Sequence, residues 1–332
     1  MGPILEVREL QVAYRTQSGD LFRALEGVSF CLQPGEVLGV LGESGSGKST
    51  LAVSLLGLFR TNSVVVSGSV RFDGKDLLKA ERDELRAVRG KSISLIFQEP
   101  SVALHPTMRV EQQVRQVLAA HGMGDRGESD RKTCEVFETL FGAEGKRIAR
   151  SYPHQLSGGQ RQRVLIAQAI VCGPSIVVAD EPTASLDPTT QKEILDVFRG
   201  LRKSLGLTMI FITHNPALLS GFADRILFLY AGRIVELGPA KQVLISPKHP
   251  YTQALFRSIP PLDGPHDSGK RSLPALPRDS DLSPLPRAGC PFEPRCPERM
   301  EICKSEDPGF VNLNASHMVS CFRYENSAIK DQ

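Results

Sequence analysis

The period of the apolar positions changes along the chain, and each change marks an element. Residues 4–14 and 22–32 alternate apolar and polar side chains, the pattern of half-buried strands, with turn chemistry at 18–20 and 33–36. Residues 37–42 form a short apolar run closed by Gly42, as in a strand buried on both faces. A helix is expected from Lys48 through residue 59. Residues 76–91 mix both charge signs around a few Leu and Val and read as a solvated amphipathic helix. Residues 93–97 read as another buried strand. From about 108 to 150 the pattern is helical, with Gly-rich breaks at 122–127 and 142–145. Residues 161–172 are almost wholly apolar after the first turn, so that helix is expected to be buried. The runs 175–180 and 208–213 suit interior parallel strands, and a helix at 189–206 separates them as a strand–helix–strand unit. Residues 225–238 read as a hairpin turning at Ala231-Gly232. Beyond residue 247 only one short helix, within 248–260, is expected.

Composition adds little until its distribution is considered. The chain has 332 residues, 41% of them hydrophobic and 23% charged, with a formal net charge of +3. These are ordinary globular values, neither disordered nor fibrous, and the charge gives no argument for a nucleic-acid partner. No apolar run approaches the roughly 18 residues of a membrane span. The first residues lack the basic start and apolar core of a signal peptide, so a cytosolic location is expected. However, 14 of the 23 Pro lie at or after Pro239, and four of the seven Cys lie at or after Cys290. The last part of the chain therefore follows different rules. Residues 260–289 read as a Pro-rich linker that cannot build a core, and the segment after it has few large apolar side chains.

Three motifs carry chemistry. Residues 42–50 read Gly-Glu-Ser-Gly-Ser-Gly-Lys-Ser-Thr, a phosphate-binding loop between an apolar strand and a helix. Its glycines let backbone N–H groups turn inward as an anion nest, and the helix N-terminus adds positive potential. Lys48 is expected to reach the outer phosphates and Ser49 to take Mg²⁺. The strand at 175–180 ends in Asp180-Glu181, where ligands bind in a doubly wound sheet. Asp180 suits Mg²⁺, and Glu181 is placed to accept a proton from an attacking water. Residues 156–160, Leu-Ser-Gly-Gly-Gln, stand directly before the buried helix, and alone could be a plain helix cap.

Taken in order, these motifs resemble those of ABC-type ATPases over about residues 4–240. The run Ser-Tyr-Pro-His-Gln-Leu-Ser-Gly-Gly-Gln at 151–160 is similar to the family signature. Gln98 resembles the glutamine-loop residue, His214 the switch histidine, and Ser185-Leu186-Asp187 the dimer-contact loop. Tyr14 falls where the family has an adenine-stacking aromatic. Asn215, where Asp is commoner, and His105, where importers often have Asn, are the departures. The resemblance implies a phosphate-loop α/β domain over 1–247, with an antiparallel β subdomain and a helical subdomain at about 100–170. It implies ATP held by Tyr14, Gly42, Ser44, Gly45, Gly47, Lys48, Ser49 and Thr50. Mg²⁺ is implied at Ser49, Gln98 and Asp180, with Glu181, His214 and Gln98 in catalysis. Such ATPases work in pairs, so Ser157, Gly158, Gly159 and Gln160 would address ATP on a partner chain, and Ser185 and Asp187 would line the contact.

The late cysteines, Cys290, Cys296, Cys303 and Cys321, are separated by five, six and 17 residues. A cytosolic chain disfavours disulfides. Zinc ligands are usually closer in sequence, an iron–sulfur cluster takes four thiolates, and unligated thiols remain open on spacing alone. Residues 248–260 and 288–303 resemble the C-terminal extension of dipeptide and oligopeptide importer ATPases, which fits an extension over 248–332 with a four-Cys segment at 290–321. That resemblance implies a [4Fe-4S] cluster, with Zn²⁺ as the alternative, acting as a structural staple. It also implies a peripheral place on the cytoplasmic face of the membrane. There the chain would pair with a second, similar ATPase under two permease subunits, and an extracytoplasmic binding protein would choose the cargo. Import of nickel or another small cargo uses the same architecture. A soluble ABC ATPase acting on DNA or ribosomes would carry coiled-coil insertions or a second core, and neither is visible. Cys31, Cys134, Cys172 and His317 are expected to have no ligand role.

Overall fold

The structure is a computed structural model, and it describes residues 2–16, 19–59, 63–258 and 288–325. Most of the expected linker, 260–287, lies outside the described residues. Strands β1 (Leu5–Arg15) and β2 (Leu21–Leu32) pair antiparallel, with register shifts in the middle of the pairing. The five residues of β3 (Val37–Leu41) are all buried. The phosphate loop follows, then α1 (Lys48–Ser54), which is shorter than expected because the chain leaves it in turns that lead to Gly57 at φ 62°. Strands β4 (Ser63–Phe72) and β5 (Lys75–Asp76) complete a four-stranded antiparallel sheet in the order β2-β1-β4-β5.

The expected helix over 76–91 shrinks to α2 (Arg82–Val88). Asp76 explains the difference. Its carboxylate accepts the N–H groups of Val70 and Leu78, closing a turn where the helix was expected to begin. Next come β6 (Ile93–Ile96), the four-residue α3 (Pro100–Ala103), and then α4 (Val110–Ala120), α5 (Arg126–Phe141) and α6 (Gly145–Ala149). The buried helix α7 (Gly158–Ile170) leads into β7 (Ile176–Asp180), α8 (Pro188–Leu205) and β8 (Thr208–Thr213). The hairpin β9 (Arg225–Tyr230) and β10 (Arg233–Pro239) turns at Ala231 and Gly232, with φ of 47° and 79°, the two positive values a two-residue type I′ turn requires.

The large sheet is mixed, in the order β11-β12-β10-β9-β3-β8-β7-β6, and parallel from β9 through β6. Alternate residues of its interior strands enter two cores. Leu38, Val40, Val178 and Ile212 face the antiparallel sheet and α1. Val37, Val177, Phe211 and Phe228 face the helices. This double burial explains why the strand sequences are apolar throughout rather than alternating.

Two strands of the large sheet were not expected. After α9 (Ala240–Ile245) and α10 (Pro250–Arg257), the late segment forms a hairpin of β11 (Phe310–Asn314) and β12 (His317–Ser320). Strand β12 pairs with β10, so the late segment continues the large sheet. The segment also supplies more core than its composition implied, because Phe292, Val311, Val319 and Phe322 are buried. The Phe292 ring stands edge-on to Tyr230 and Tyr251, with centroids 5.3 and 5.5 Å away. His317 is buried, with Nε2 2.8 Å from the Glu236 carboxylate. That carboxylate also accepts the Lys248 and His249 N–H groups. Among the described residues, no helix is long and apolar enough to cross a membrane.

Candidate active site

The site lies at the C-terminal edge of β3, β7 and β8. The loop at 42–50 turns tightly around Gly42 and Gly47, where there is no room for a side chain. A Cβ at Gly42 would stand 2.3 Å from the Leu229 carbonyl oxygen, and one at Gly47, whose φ is 106°, would stand 2.5 Å from the Ala24 oxygen. Lys48 is buried, and its ammonium donates to the carbonyls of Gly42 and Glu43 at 2.8 and 2.9 Å. It also stands 3.7 Å from Glu181. Burial pushes its pKa down, against the pull of Glu181 and Asp180.

Asp180 closes β7. Burial pushes its pKa up, against the pull of the nearby Ser49 hydroxyl, and its Oδ1 is buried without a hydrogen-bond partner. An orphaned carboxylate oxygen beside a hydroxyl, under a phosphate loop, fits a hard divalent cation such as Mg²⁺. The next residue, Glu181, takes φ 47°, a left-handed conformation that is uncommon for a non-glycine residue. Its Oε2 accepts from Gln98 Nε2 at 3.3 Å and lies 3.2 Å from His214 Nδ1. The structure thus gathers Lys48, Gln98, Glu181 and His214, which are far apart in sequence, around one carboxylate. Tyr14 borders the same site, with its hydroxyl 3.0 Å from Thr50 Oγ1.

The signature residues sit on another element. Ser157 caps α7 by accepting the Gln160 N–H at 3.2 Å, while Gln160 returns a bond to the Ser157 N–H at 3.0 Å. The plain cap and the signature are therefore the same residues. Ser157 and Gly158 are exposed. A Cβ on Gly159 would lie 2.5 Å from the Thr190 methyl, so glycine there lets α7 approach α8. Ser185 is exposed on the loop before α8. Asp187 caps that helix through the Thr190 N–H and hydroxyl, which hold its pKa below the usual range. Asn215 takes over the next turn by accepting the Ala217 N–H at 3.0 Å, a bond Asp could also accept.

The four late cysteines are free thiols, and all four line one small cavity with His249, Phe292 and Phe322. Burial pushes Cys290 up to about 12 and Cys296 and Cys321 up to about 11, and neighbouring thiols add to the shift. Among the described residues, no three or more His, Cys, Asp or Glu are gathered as ligands of one metal ion. The geometry therefore shows neither the expected iron–sulfur cluster nor the Zn²⁺ alternative.

Sequence reasoning missed two residues that touch the phosphate loop, Tyr251 and Arg295. Neither lies in one of the nucleotide-site motifs. The signal present was indirect: an arginine between two cysteines, and a tyrosine in the helix before the linker.

A strand–loop–helix phosphate cradle with an acidic strand end and a distant helix-start signature defines an ABC-type nucleotide-binding cassette. The family model "ABC transporter" matches residues 25–184, and "Oligopeptide/dipeptide transporter, C-terminal region" matches residues 235–303. The oligopeptide transport ATP-binding protein OppD of Salmonella typhimurium is 38% identical over 320 residues, covering 96% of this chain and 93% of that one. The dipeptide transport ATP-binding protein DppD of Bacillus subtilis is 40% identical over 332 residues, covering 99% and 97%. Among solved structures, the dimeric post-hydrolysis ATP-binding cassette MJ0796 with ADP and Pi superposes with a TM-score of 0.63 at 28% identity, covering 71% of this chain and 98% of that one. CbiO1 of Clostridium perfringens, part of the cbiONQ transporter complex, gives 0.62 at 32% identity, covering 74% and 92%. The chain belongs to the ATP-binding proteins of peptide ABC transporters, and it is an ATPase of the ABC type.

Proposed function

We propose that this chain hydrolyses ATP to drive import of di- and oligopeptides through membrane permease subunits. The observation that carries the reading is the Glu181 carboxylate, held among Lys48, Gln98 and His214 beside the unpartnered oxygen of Asp180. Tyr14 stacks on adenine. Gly42, Ser44, Gly45, Gly47, Lys48, Ser49 and Thr50 hold the phosphates, and Ser49 and Asp180, with Gln98, hold Mg²⁺. Glu181 takes a proton from water, and His214 orients the γ-phosphate and the water. Ser157, Gly158, Gly159 and Gln160 meet ATP on a second, similar ATPase, with Ser185 and Asp187 at the contact. The exposure of Ser157, Gly158, Ser185 and Asp187 supports that reading, because a trans-acting site must be open before the pair closes. Closure around ATP and opening after hydrolysis is a population shift driven by γ-phosphate contacts.

In this reading residues 1–247 form the ATPase unit and 248–332 the extension. The pair sits on the cytoplasmic face beneath two permeases, and a binding protein outside the membrane selects the cargo. Cys290, Cys296, Cys303 and Cys321 hold a [4Fe-4S] cluster. Four free thiols that line one cavity support this reading. Such a group would cross-link the extension. The extension match favours peptides over nickel as cargo.

The Glu181→Gln chain should bind ATP and lose turnover, and full activity would overturn the general-base assignment. Anaerobic protein should contain iron and absorb visible light, and its absence would remove the cluster. Uptake assays on the reconstituted transporter should show peptide import, and nickel uptake without peptide uptake would reassign the cargo.

A further inference from the structure

The extension reaches the phosphate loop at Glu43 and holds it twice. Arg295 places two nitrogens on its carboxylate, Nη1 to Oε2 at 2.8 Å and Nη2 to Oε1 at 3.0 Å, a bidentate pair. The same guanidinium donates to the Tyr230 hydroxyl at 3.3 Å and lies over the Tyr230 and Phe292 rings, 5.6 and 5.8 Å from their centroids. Its side chain is 2% exposed, against 28% for Glu43. The Glu43 N–H donates to the Tyr251 hydroxyl at 2.8 Å, while the Glu43 carbonyl accepts from Lys48. Residues 208 and 252 positions downstream thus fix the N–H and the carboxylate of a loop whose work is to aim N–H groups at phosphate.

Arg295 is itself delivered by the cysteine segment. The Glu293 N–H bonds the Cys290 carbonyl at 3.0 Å, Arg295 bonds Phe292 at 3.0 Å, and Cys296 bonds Glu293 at 3.1 Å. The Cys290 N–H bonds the Cys303 carbonyl at 2.8 Å. A shift in this run of turns moves the guanidinium, and a buried guanidinium cannot leave its carboxylate without a large penalty.

We propose that Arg295 is a positioning residue for the phosphate loop, assisted by Tyr251, so that ATP affinity depends on the folded state of the four-cysteine segment. Two physical effects act together. The pair neutralises a carboxylate that would otherwise repel a triphosphate. It also holds the loop in shape before the nucleotide arrives, so that less ordering is required on binding. The proposal rests on ATP binding at residues 42–50 but not on which group the cysteines hold.

The test uses the purified full-length chain, with a fluorescent ATP analogue, steady-state ATPase kinetics and thermal melting. Arg295→Met should raise the Kd and the KM for ATP roughly tenfold or more while kcat at saturation changes far less. Arg295→Lys, which keeps the charge but not the fork, should recover part of the loss. Tyr251→Phe keeps the ring packing and should weaken binding about threefold. In a Glu43→Gln background, Arg295→Met should add little, because its route is gone. Cys303→Ser should raise the Kd in the natural chain but add little to Arg295→Met. A natural Kd in Arg295→Met with only a lower melting temperature would overturn the proposal, as would effects of Glu43→Gln and Arg295→Met that simply multiply. If the natural chain itself bound no ATP, the nucleotide-site reading would fail as well.

Discussion

The phosphate loop and the cysteine-rich extension meet at Glu43, yet they are built on opposite principles. The loop is contiguous. Nine residues, 42–50, running from the end of β3 into the first turn of α1, contain its glycines, its lysine and its hydroxyls, and their local backbone geometry makes the anion site. The extension is assembled from distant pieces. Its hairpin joins β10, Phe292 packs against Tyr230 and Tyr251, and Glu236 pairs with His317. Backbone recognition of phosphate needs adjacent N–H groups and therefore writes a motif. Docking needs only complementary surfaces, so its residues can be scattered.

The largest expected effect separates chemistry from architecture. Glu181→Gln should reduce turnover by about 10²–10⁴-fold with binding and melting unchanged, since a general base contributes on that scale. On the other side, Phe292→Ala should destabilise the docked extension by about 3–5 kcal/mol, the range for truncating a buried aromatic, measured by denaturant unfolding. An unchanged midpoint would mean that the extension does not share the ATPase core.

Acid should act mainly on the extension. Burial lowers the His249 pKa to about 4 from 6.5, and its neutral Nδ1 accepts the Tyr251 N–H at the start of α10. The folded form resists a proton that the unfolded form accepts. Stability is therefore full above pH 6.5 and falls as the pH drops toward 4, by at most about 3 kcal/mol. His249→Gln should flatten that slope in pH-dependent melting, and an identical slope would remove this assignment. The smallest effect is Ser157→Ala. It should cost about 1 kcal/mol as a lost helix cap, while ATPase activity of the assembled pair falls well beyond that loss of stability. Equal losses would leave Ser157 as a cap alone.

Much of this was legible before the fold was known. The apolar run at 175–180 ends at Asp180, as strand β7 does, and the Ala231-Gly232 turn fell where expected. The helix expected over 76–91 failed because the Asp76 carboxylate closes a competing turn, a bond that residue-type periodicity does not encode. The hairpin of β11 and β12 was illegible because short strands at a sheet edge take their identity from the strand they join, here β10.

The sequence by itself determined the phosphate loop of this chain, because its residues are a few positions apart and their backbone conformation is set locally by glycine and helix start. Only the tertiary structure decided that Gln98, Glu181 and His214 share one carboxylate-centred site, and that Arg295 and Tyr251 hold the loop from the far end of the chain. Those contacts arise when the buried sheet and its aromatic seam bring together segments separated by up to 252 positions, and no local pattern records which surfaces will meet.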